Sequence, residues 1–405
     1  MNPPMNAPTH SLDITPHASS HAPIAPFGFV TAPRIAFGEG ESARLATHAP
    51  GLGERVLMVT DPGIVALGLH EGAAASLGPR LVAVHDDVGP DPTRAMLERA
   101  IDRARDVGAT GIVGLGGGSP LDVAKLTALV AGSGEALDAA WGVDAATGPR
   151  LPLALVPTTA GTGSEVTPVS IITVGERVGG GGGGVEKRGV SSPWLLPDVA
   201  VLDPALTYGL PRATTAATGI DAMVHAIEAY ASRNANNNPV SKALAREALR
   251  LLGGSIEAAC EGDRAARAPM LLGSMLAGQA FANSPVAAVH ALAYPLGGRF
   301  KVPHGLSNAV LLPHVLAFNA EDMGARRAYA DLAPLLGAHG SDGLIARLDE
   351  LAAACGLAAG MRALGVSEMH LDAMAADAMR QTRLLVNNPR PVNEADARAI
   401  YEAAL

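Results

Sequence analysis

Cysteines, aromatic residues and long apolar runs are all scarce in this chain of 405 residues. The only cysteines are Cys260 and Cys355, which excludes a disulfide scaffold and favours a reducing compartment, so we predict a cytoplasmic protein. Aromatic residues make up 3%, and Gly, Pro or charged residues interrupt every apolar window before it reaches the length of a membrane span. With a net charge of −9 and no long basic run, neither nucleic acid nor an anionic membrane is expected as the main partner.

Hydrophobic residues, in contrast, make up 48% of the chain, which excludes intrinsic disorder and predicts a large core. The length favours two or three domains at about 150 residues each. The N-terminal segment, residues 1–26, is rich in Pro, Ala, Ser and His and contains no Lys or Arg and no apolar stretch. We interpret it as a disordered tail, since it has the features of neither a secretory signal nor an Arg-rich transit peptide.

Short apolar runs alternate with a helical pattern in the first half of the chain. Buried strands are predicted at residues 56–60, 81–85, 111–115, 153–156 and 199–202. Strand, helix and strand in this order predict a parallel sheet with right-handed crossovers. After Tyr208, Ala- and Leu-rich helical patterns dominate. The sequence therefore predicts an α/β domain over residues 27–208 and an all-α domain over residues 209–405.

Two glycine-rich loops follow predicted strands, and both have the character of phosphate-binding turns. The first, GGGS at residues 116–119, precedes a helical run at residues 120–130, whose free N–H groups suit a pyrophosphate. The second, PTTAGTGSE at residues 157–165, brings hydroxyls to a strand end. Ordinary turns are the alternative for each. Asp122 suits either a cofactor amide or ribose or the helix N-terminus, and Lys125 suits either a phosphate or a solvated helix face.

Asp61 directly follows the strand predicted at residues 56–60. A carboxylate at such a strand end commonly accepts a hydrogen bond from a ribose 2′-hydroxyl and repels a 2′-phosphate. This favours NAD over NADP, although a plain turn before Pro62 is the alternative. Residues 179–184 are six consecutive glycines, which excludes helix or ordinary strand. They are either a passive loop insertion or a mobile flap over the cofactor.

A second set of residues has the character of a metal site. Asp221 and His225 are four residues apart and share one helix face, as do His290 and Tyr294, while His304 lies in a Pro-His-Gly turn. One carboxylate and three imidazoles, with no thiolate, suit Fe²⁺ or Zn²⁺ and leave positions open for a substrate. Each histidine taken singly is more often structural. Glu228 is three residues past His225 and therefore lies near the same helix face, but it could equally be a charge exposed to solvent.

The motifs GGGSPLDVAK, PTTAGTGSEVT, ATGIDAMVHAIEAY and HALAYPLGGRFKVPHG resemble those of the iron-containing (group III) alcohol dehydrogenases, and they occur in that family's order. The resemblance implies a dehydroquinate synthase-like fold, in which the active site lies between a dinucleotide-binding domain and a helical domain. It implies a metal-dependent, NAD(H)-linked alcohol dehydrogenase or aldehyde reductase for a small substrate, forming a homodimer or larger assembly. The implied metal ligands are Asp221, His225, His290 and His304. The implied cofactor contacts are Asp61, Gly117, Gly118, Ser119, Asp122, Thr158, Thr159, Thr162 and Lys187.

Tyr294 departs from the family pattern, because many members have a histidine there that is read as a proton relay. A tyrosine hydroxyl has an ordinary pKa of about 10, so it is a poorer relay at neutral pH. The same variant resembles the hydroxyacid–oxoacid transhydrogenase branch, which we keep as the alternative function. Maleylacetate reductase ranks lower because Asp221 supplies the acidic ligand that this branch lacks. A lyase of the dehydroquinate synthase type and a non-enzymatic nucleotide-binding protein rank lower again.

Overall fold

The first half of the chain forms parallel sheet and covering helices, as the alternating pattern predicts. The computed structural model describes residues 24–175, 186–357 and 360–405, so the proposed tail up to residue 23 and the glycine run at 179–184 lie outside the described residues. Its strands are β1 (Ile35–Phe37), β2 (Val56–Val59), β3 (Leu81–His85), β4 (Gly111–Gly116), β5 (Gly142–Val143), β6 (Leu153–Pro157), β7 (Val169–Val174), β8 (Glu186–Ser191) and β9 (Val199–Leu202). The helices of this half are α1 (Leu45–His48), α2 (Pro62–Ala66), α3 (Glu71–Leu77), α4 (Arg94–Asp106) and α5 (Gly118–Ser133).

The main sheet has six strands in the order β1-β9-β6-β4-β2-β3, and every pairing in it is parallel. Alternate residues of its strands face two separate cores. Leu57 and Ile112 pack in one core, whereas Met58 and Val113 pack in the other. Because helices cover both faces, the central strands β2, β4, β6 and β9 are buried at every position, which explains why they can be recognised as continuous hydrophobic runs.

The chain order of the main sheet reverses next to β2. The chain passes from β2 to β3 at one edge and then returns to β4 on the other side of β2. In open α/β sheets the carboxyl ends of the strands at such a reversal border a crevice that binds ligands. The segments that start at Asp61 and at Gly117 follow these two strands, so both reach this edge of the sheet.

A second, three-stranded sheet, in the order β5-β8-β7, stands beside the main one. Strands β7 and β8 are antiparallel and place Thr173 opposite Lys187. The sequence interpretation missed this hairpin. Its second strand begins with the charged residues Glu186, Lys187 and Arg188, so it has no hydrophobic alternation to recognise.

Helices make up the regular structure of the second half, and no strand follows β9 among the described residues. They are α6 (Arg212–Ala231), α7 (Pro239–Gly253), α8 (Ile256–Cys260), α9 (Arg264–Asn283), α10 (Ala288–Phe300), α11 (His304–Asn319), α12 (Met323–Leu332), α13 (Gly340–Ala354), α14 (Leu371–Met379), α15 (Thr382–Leu385) and α16 (Glu394–Ala403). One core joins them, and α6 lies at its centre against α7, α9 and α11. No described helix is both long and apolar enough to cross a bilayer. The boundary proposed at residues 208 and 209 falls between β9 and α6 and stays a prediction.

Candidate metal centre and cofactor cleft

Three side chains from three helices converge on one point. Asp221 lies in the middle of α6, His290 near the start of α10, and His304 is the first residue of α11. One ligand atom from each lies within 4.8 Å of the others. The Nε2 atoms of His290 and His304 are each 3.8 Å from Oδ1 of Asp221. Helix packing therefore brings together residues that are far apart in the sequence.

His225 lies one turn beyond Asp221, and its ring stacks on the ring of His290 with centroids 4.7 Å apart. Phe281 stacks against it as well, at 4.4 Å. Nδ1 of His225 lies 3.2 Å from the carbonyl oxygen of Gly161. A carbonyl oxygen only accepts hydrogen bonds, so Nδ1 carries the proton and Nε2 keeps its lone pair. His225 borders the three-residue cluster without belonging to its most compact part.

Glu228 holds the ring of His290 in one orientation. Its Oε2 is 2.6 Å from Nδ1 of His290, and its carboxylate also accepts the backbone N–H groups of Ala287 at 3.0 Å and Val289 at 2.7 Å. With the proton on Nδ1, the Nε2 lone pair is directed at the cluster. Nε2 is buried and has no hydrogen-bond partner among the described residues. Glu228 is buried at 5% exposure, so the solvated alternative was wrong.

Electrostatics prepare this cluster to accept a cation. Burial tends to raise the pKa of Asp221, but the surrounding histidines outweigh it and hold that pKa below its ordinary value. Burial lowers the pKa of His225 and of His304, each to about 4. At neutral pH the site therefore offers a carboxylate and the uncharged imidazoles of His225 and His304, the protonation states that metal ligands require. Burial alone would also lower the pKa of His290, but the charge of Glu228 and the hydrogen bond to it outweigh burial and raise that pKa above its ordinary value. Nδ2 of Asn308 supports Asp221 by donating to its Oδ1 at 2.6 Å.

The chemistry of the ligand atoms in this cluster shows whether it fits a metal ion. Imidazole nitrogens with one carboxylate and no thiolate suit Fe²⁺ and Zn²⁺. The unpartnered, buried Nε2 of His290 is the kind of polar atom that native structures rarely leave without a partner. The carboxylate–imidazole pair of Glu228 and His290 matches the outer support that metal-binding histidines have. The residues therefore fit a divalent cation.

This cluster opens into a cleft of about 580 Å³ between the helical half and the sheet. All four predicted ligands line it, and so does Tyr294. Of the predicted cofactor contacts, the cleft is lined by Gly118, Ser119, Asp122, Thr162 and Lys187. The cleft therefore connects the glycine loops with the histidine cluster.

The first glycine loop ends where α5 begins. Gly117 is the N-cap residue of α5 and no side chain caps the helix there, so the first N–H groups have no partner within the helix. A Cβ on Gly118 would lie 2.8 Å from the side-chain methyl of Thr162, so only glycine allows the two loops to pack this closely. The uncapped N-terminus of this long helix is the arrangement that binds phosphate groups.

The lining of this cleft does not include Asp61, Gly117, Thr158 or Thr159. Asp61 is the N-cap of α2 and accepts the N–H of Ile64 at 3.0 Å. Thr158 is buried and donates its N–H to the carbonyl of Gly116 at 2.9 Å, which ties the second loop to the end of β4. Their contact with a cofactor stays a prediction.

Asp122 and Lys125 are engaged with the protein itself. Asp122 accepts from the hydroxyl of Ser164 at 2.6 Å and from the N–H of Ile171 at 2.8 Å, although it also lines the cleft. Lys125 has no solvent exposure, and its Nζ donates to the carbonyl of Val169 at 2.8 Å. Both alternatives offered for Lys125, a phosphate contact or a solvated helix face, were wrong.

Tyr294 follows His290 by one helical turn, and its ring centroid lies 6.2 Å from that of His304. Burial raises the pKa of Tyr294 above its ordinary value. The hydroxyl therefore keeps its proton at neutral pH and is suited to donating a hydrogen bond rather than to taking up a proton. Its role in a proton relay stays a prediction.

Comparison with known proteins agrees with this arrangement. Residues 32–204 match the family model for iron-containing alcohol dehydrogenase, and residues 215–405 match the C-terminal model of the Fe-containing alcohol dehydrogenase family. The chain belongs to the iron-containing alcohol dehydrogenase family. The fold class, the family and the enzyme class predicted from the sequence are thereby confirmed.

Individual relatives align with this chain over nearly its whole length. It is 40% identical to long-chain-alcohol dehydrogenase 1 of Geobacillus thermodenitrificans over 91% of this chain and 94% of that protein. It is 36% identical to 1,3-propanediol dehydrogenase of Klebsiella pneumoniae over 87% of this chain and 92% of that protein. The crystal structure of a 1,3-propanediol oxidoreductase superposes with a TM-score of 0.88 at 33% identity, covering 94% of this chain and all of the other.

These relationships identify an oxidoreductase that interconverts alcohols and aldehydes with NAD(H), and membership of this family implies a bound metal. They do not favour the alternative function that Tyr294 suggested, a hydroxyacid–oxoacid transhydrogenase. The sequence analysis named the three cluster residues and the adjacent His225, but it left open whether Glu228 belongs to the site or is a solvated charge. The spacing of three residues from His225 was the one signal available for it.

Proposed function

We propose that Asp221, His225, His290 and His304 hold the divalent cation of this alcohol dehydrogenase, with Fe²⁺ as the first candidate and Zn²⁺ as the second. The buried, unpartnered Nε2 of His290, oriented by Glu228 toward Asp221, is the observation that carries the proposal. His225 joins the set because its Nδ1–H is engaged by Gly161, which leaves Nε2 available.

NAD is the proposed dinucleotide, lying from the end of β2 to the histidine cluster. The N-terminus of α5, at Gly117, Gly118 and Ser119, is suited to the pyrophosphate. Asp61 at the carboxyl end of β2 favours NAD because its charge repels a 2′-phosphate. Thr158, Thr159, Thr162, Asp122 and Lys187 are the proposed contacts toward the nicotinamide end. Lys187 lines the cleft while its Nζ pairs with Asp91 at 2.6 Å.

When bound, the cation would polarise the substrate oxygen and the nicotinamide would carry the hydride. The chain's own residues bind and orient. Glu228 and Gly161 keep the imidazoles of His290 and His225 in the tautomers that leave Nε2 free. Tyr294 holds its proton and presents a hydrogen-bond donor to the cleft. Phe281 and Val286 supply apolar walls that exclude water from the reacting centre.

His290→Ala tests the metal assignment. After removal of metal and anaerobic addition of Fe²⁺, we expect wild-type protein to oxidise NADH with short aldehydes and to retain stoichiometric iron. The His290→Ala protein should lose both, while its NADH affinity, measured by fluorescence titration, stays unchanged. His339→Ala, at an exposed histidine, is the matched control. Full activity of His290→Ala after chelation and iron addition would overturn the ligand assignment.

Three further properties remain proposals. We expect a homodimer or larger homo-oligomer, a cytoplasmic location and a small alcohol or aldehyde as substrate. Light scattering coupled to size-exclusion chromatography measures the oligomeric state.

Deletion of residues 1–23 should leave turnover unchanged if the tail is disordered as proposed.

A further inference from the structure

Arg383, on the short helix α15, lines the cleft without an ionic partner. No carboxylate of the described residues pairs with its guanidinium, whereas the nearby Arg380 and Arg390 pair with Asp377 and Glu321. Four other arginines of the described residues also form neither an ion pair nor a side-chain hydrogen bond, but none of them lines the cleft: Arg80, Arg103, Arg264 and Arg327.

The guanidinium of Arg383 crosses the cleft toward the small sheet. Both of its terminal nitrogens lie 3.3 Å from the position that a Cβ on Gly189 would take, so the group rests on the bare backbone of β8. Arg383 and Tyr294 line the same cleft, so the guanidinium belongs to the space that opens from the histidine cluster.

The other charges that line the cleft already have partners. Lys187 is paired with Asp91, and Asp122 accepts two hydrogen bonds from Ser164 and the N–H of Ile171. Asp221 is committed to the histidine cluster. Once a cation offsets the charge of Asp221, Arg383 is left as the positive group in this part of the cleft with no counter-charge among the described residues.

Apolar side chains line the cleft together with Arg383 and the cluster. They include Phe281, Pro285, Val286, Leu384 and Val386, which offer no polar group to a ligand side chain. A ligand that fills this cleft can therefore contact both the cluster and the guanidinium. A guanidinium presents a rigid fork of N–H donors that matches the oxygen atoms of a carboxylate or sulfonate.

We propose that Arg383 is a specificity-determining residue that selects aldehydes and alcohols carrying a carboxylate or sulfonate at the end remote from the reacting carbon. This rests on the proposed function, because the cluster must hold the reacting oxygen while Arg383 holds the remote anionic group. A phosphate of the dinucleotide offers the same chemistry to a guanidinium, so the experiment separates the two sources.

The probes are 4-oxobutanoate and butanal, which share a four-carbon chain and differ in the terminal carboxylate. The variants are Arg383→Gln, which removes the charge, and Arg383→Lys, which keeps the charge but loses the fork. Arg327→Gln, at an exposed and unpaired arginine remote from the cleft, is the matched control. Each protein is loaded with Fe²⁺, and kcat/KM is measured for both aldehydes. Fluorescence titration then gives the dissociation constants of NADH and of 4-hydroxybutanoate from the enzyme–NADH complex.

We expect Arg383→Gln to lower kcat/KM for 4-oxobutanoate by about 10- to 100-fold while butanal changes by less than about twofold. The dissociation constant of 4-hydroxybutanoate should rise by a similar factor, that of NADH should stay constant, and Arg383→Lys should recover part of the loss. Equal losses for both aldehydes, or a weaker NADH complex as the main effect, would overturn the proposal. If the wild-type protein reduces neither aldehyde, the result contradicts the proposed function. If the wild-type protein reduces both but prefers butanal, the result contradicts only the inference about Arg383.

Discussion

At the scale of single residues, the candidate metal centre depends on groups that orient its ligands. Glu228 accepts from Nδ1 of His290 and from two backbone N–H groups at the start of α10. It thus places the first turn of α10 and sets the tautomer of His290 at once. Loss of such an outer partner commonly weakens metal affinity or activity by about one to two orders of magnitude.

Replacing Glu228 by glutamine should lower the affinity for Fe²⁺ or Zn²⁺ by about 10- to 100-fold. The amide oxygen can still accept hydrogen bonds at the position of one carboxylate oxygen, but the NH2 group at the other position cannot, and the negative charge that supports the imidazole is lost. Competition with a chromophoric chelator measures the affinity. Glu54→Gln, at an exposed glutamate in the α/β half, is the control. Unchanged metal affinity in the Glu228 variant would show that the carboxylate serves only to cap α10.

Asp61 is the residue that should decide between the two dinucleotides. Asp61→Ser removes the charge but keeps a side chain that can cap α2, so the local helix should persist. We expect the ratio of the NADH to the NADPH affinity to fall by about tenfold, because a like charge no longer faces the 2′-phosphate. Fluorescence titration of both cofactors checks this. Asp102→Ser, at an exposed residue of α4, should leave the ratio unchanged, and a similarly unchanged ratio in Asp61→Ser would refute the assignment.

At the scale of elements, the geometry of the cluster is set by how closely α11 approaches α6. Gly305 follows His304 in the first turn of α11, and a Cβ there would overlap the carbonyl oxygen of Ala217 in α6. The absence of a side chain lets the two helices come together and brings His304 within reach of Asp221. The packing of these two helices thus positions the site.

Gly305→Ala should therefore displace the start of α11 and weaken metal binding by about tenfold or more, with a loss of stability of about 1–3 kcal/mol from overpacking. Metal titration and denaturant unfolding measure the two effects. Gly298→Ala provides the comparison, since that glycine lies in α10 with nothing within 4 Å of a new Cβ. It should bind metal normally and gain up to about 1 kcal/mol. If the two variants behaved alike, the helix contact would not be what positions His304.

At the scale of the whole molecule, buried charge in the α/β half should make stability depend on pH. Glu165 is 2% exposed, and burial raises its pKa from 4.5 to about 7. The folded state therefore holds a proton that the unfolded chain has lost, and stability falls as the pH rises through this window. Lys125, whose pKa burial lowers to about 8, lies close enough to moderate this effect.

Glu165→Gln should remove that fall. Relative to wild type, the variant should gain about 1–3 kcal/mol of unfolding free energy between roughly pH 5 and pH 8. Asp122 still faces Lys125 at 3.7 Å in this variant, so the lysine keeps a counter-charge. Denaturant unfolding across the pH range is the measurement, with Glu402→Gln, at an exposed residue, as the control. Parallel pH profiles for Glu165→Gln and wild type would show that Glu165 titrates in its ordinary range.

The sequence by itself determined what depends on near neighbours in the chain. The strand predicted at residues 81–85 has the observed bounds, and the strand predicted at residues 111–115 ends one residue later than predicted. The helix after the first glycine loop begins at Gly118 and not at Pro120. The strands are readable because their hydrophobic pattern is set by burial on both faces, and the loops because glycine is needed where backbones approach closely.

Only the tertiary structure decided which of these residues meet. Glu228 and His290 are 62 positions apart, and Asp221 and Asn308 are 87 apart, so no periodicity of a single helix predicts either contact. The burial of Lys125 against β7 and the place of Arg383 in the cleft likewise depend on contacts between elements that are distant in the chain. Short-range patterns specify elements because each turn or pleat involves a few adjacent residues, whereas contacts between distant residues depend on helix packing that one sequence does not display.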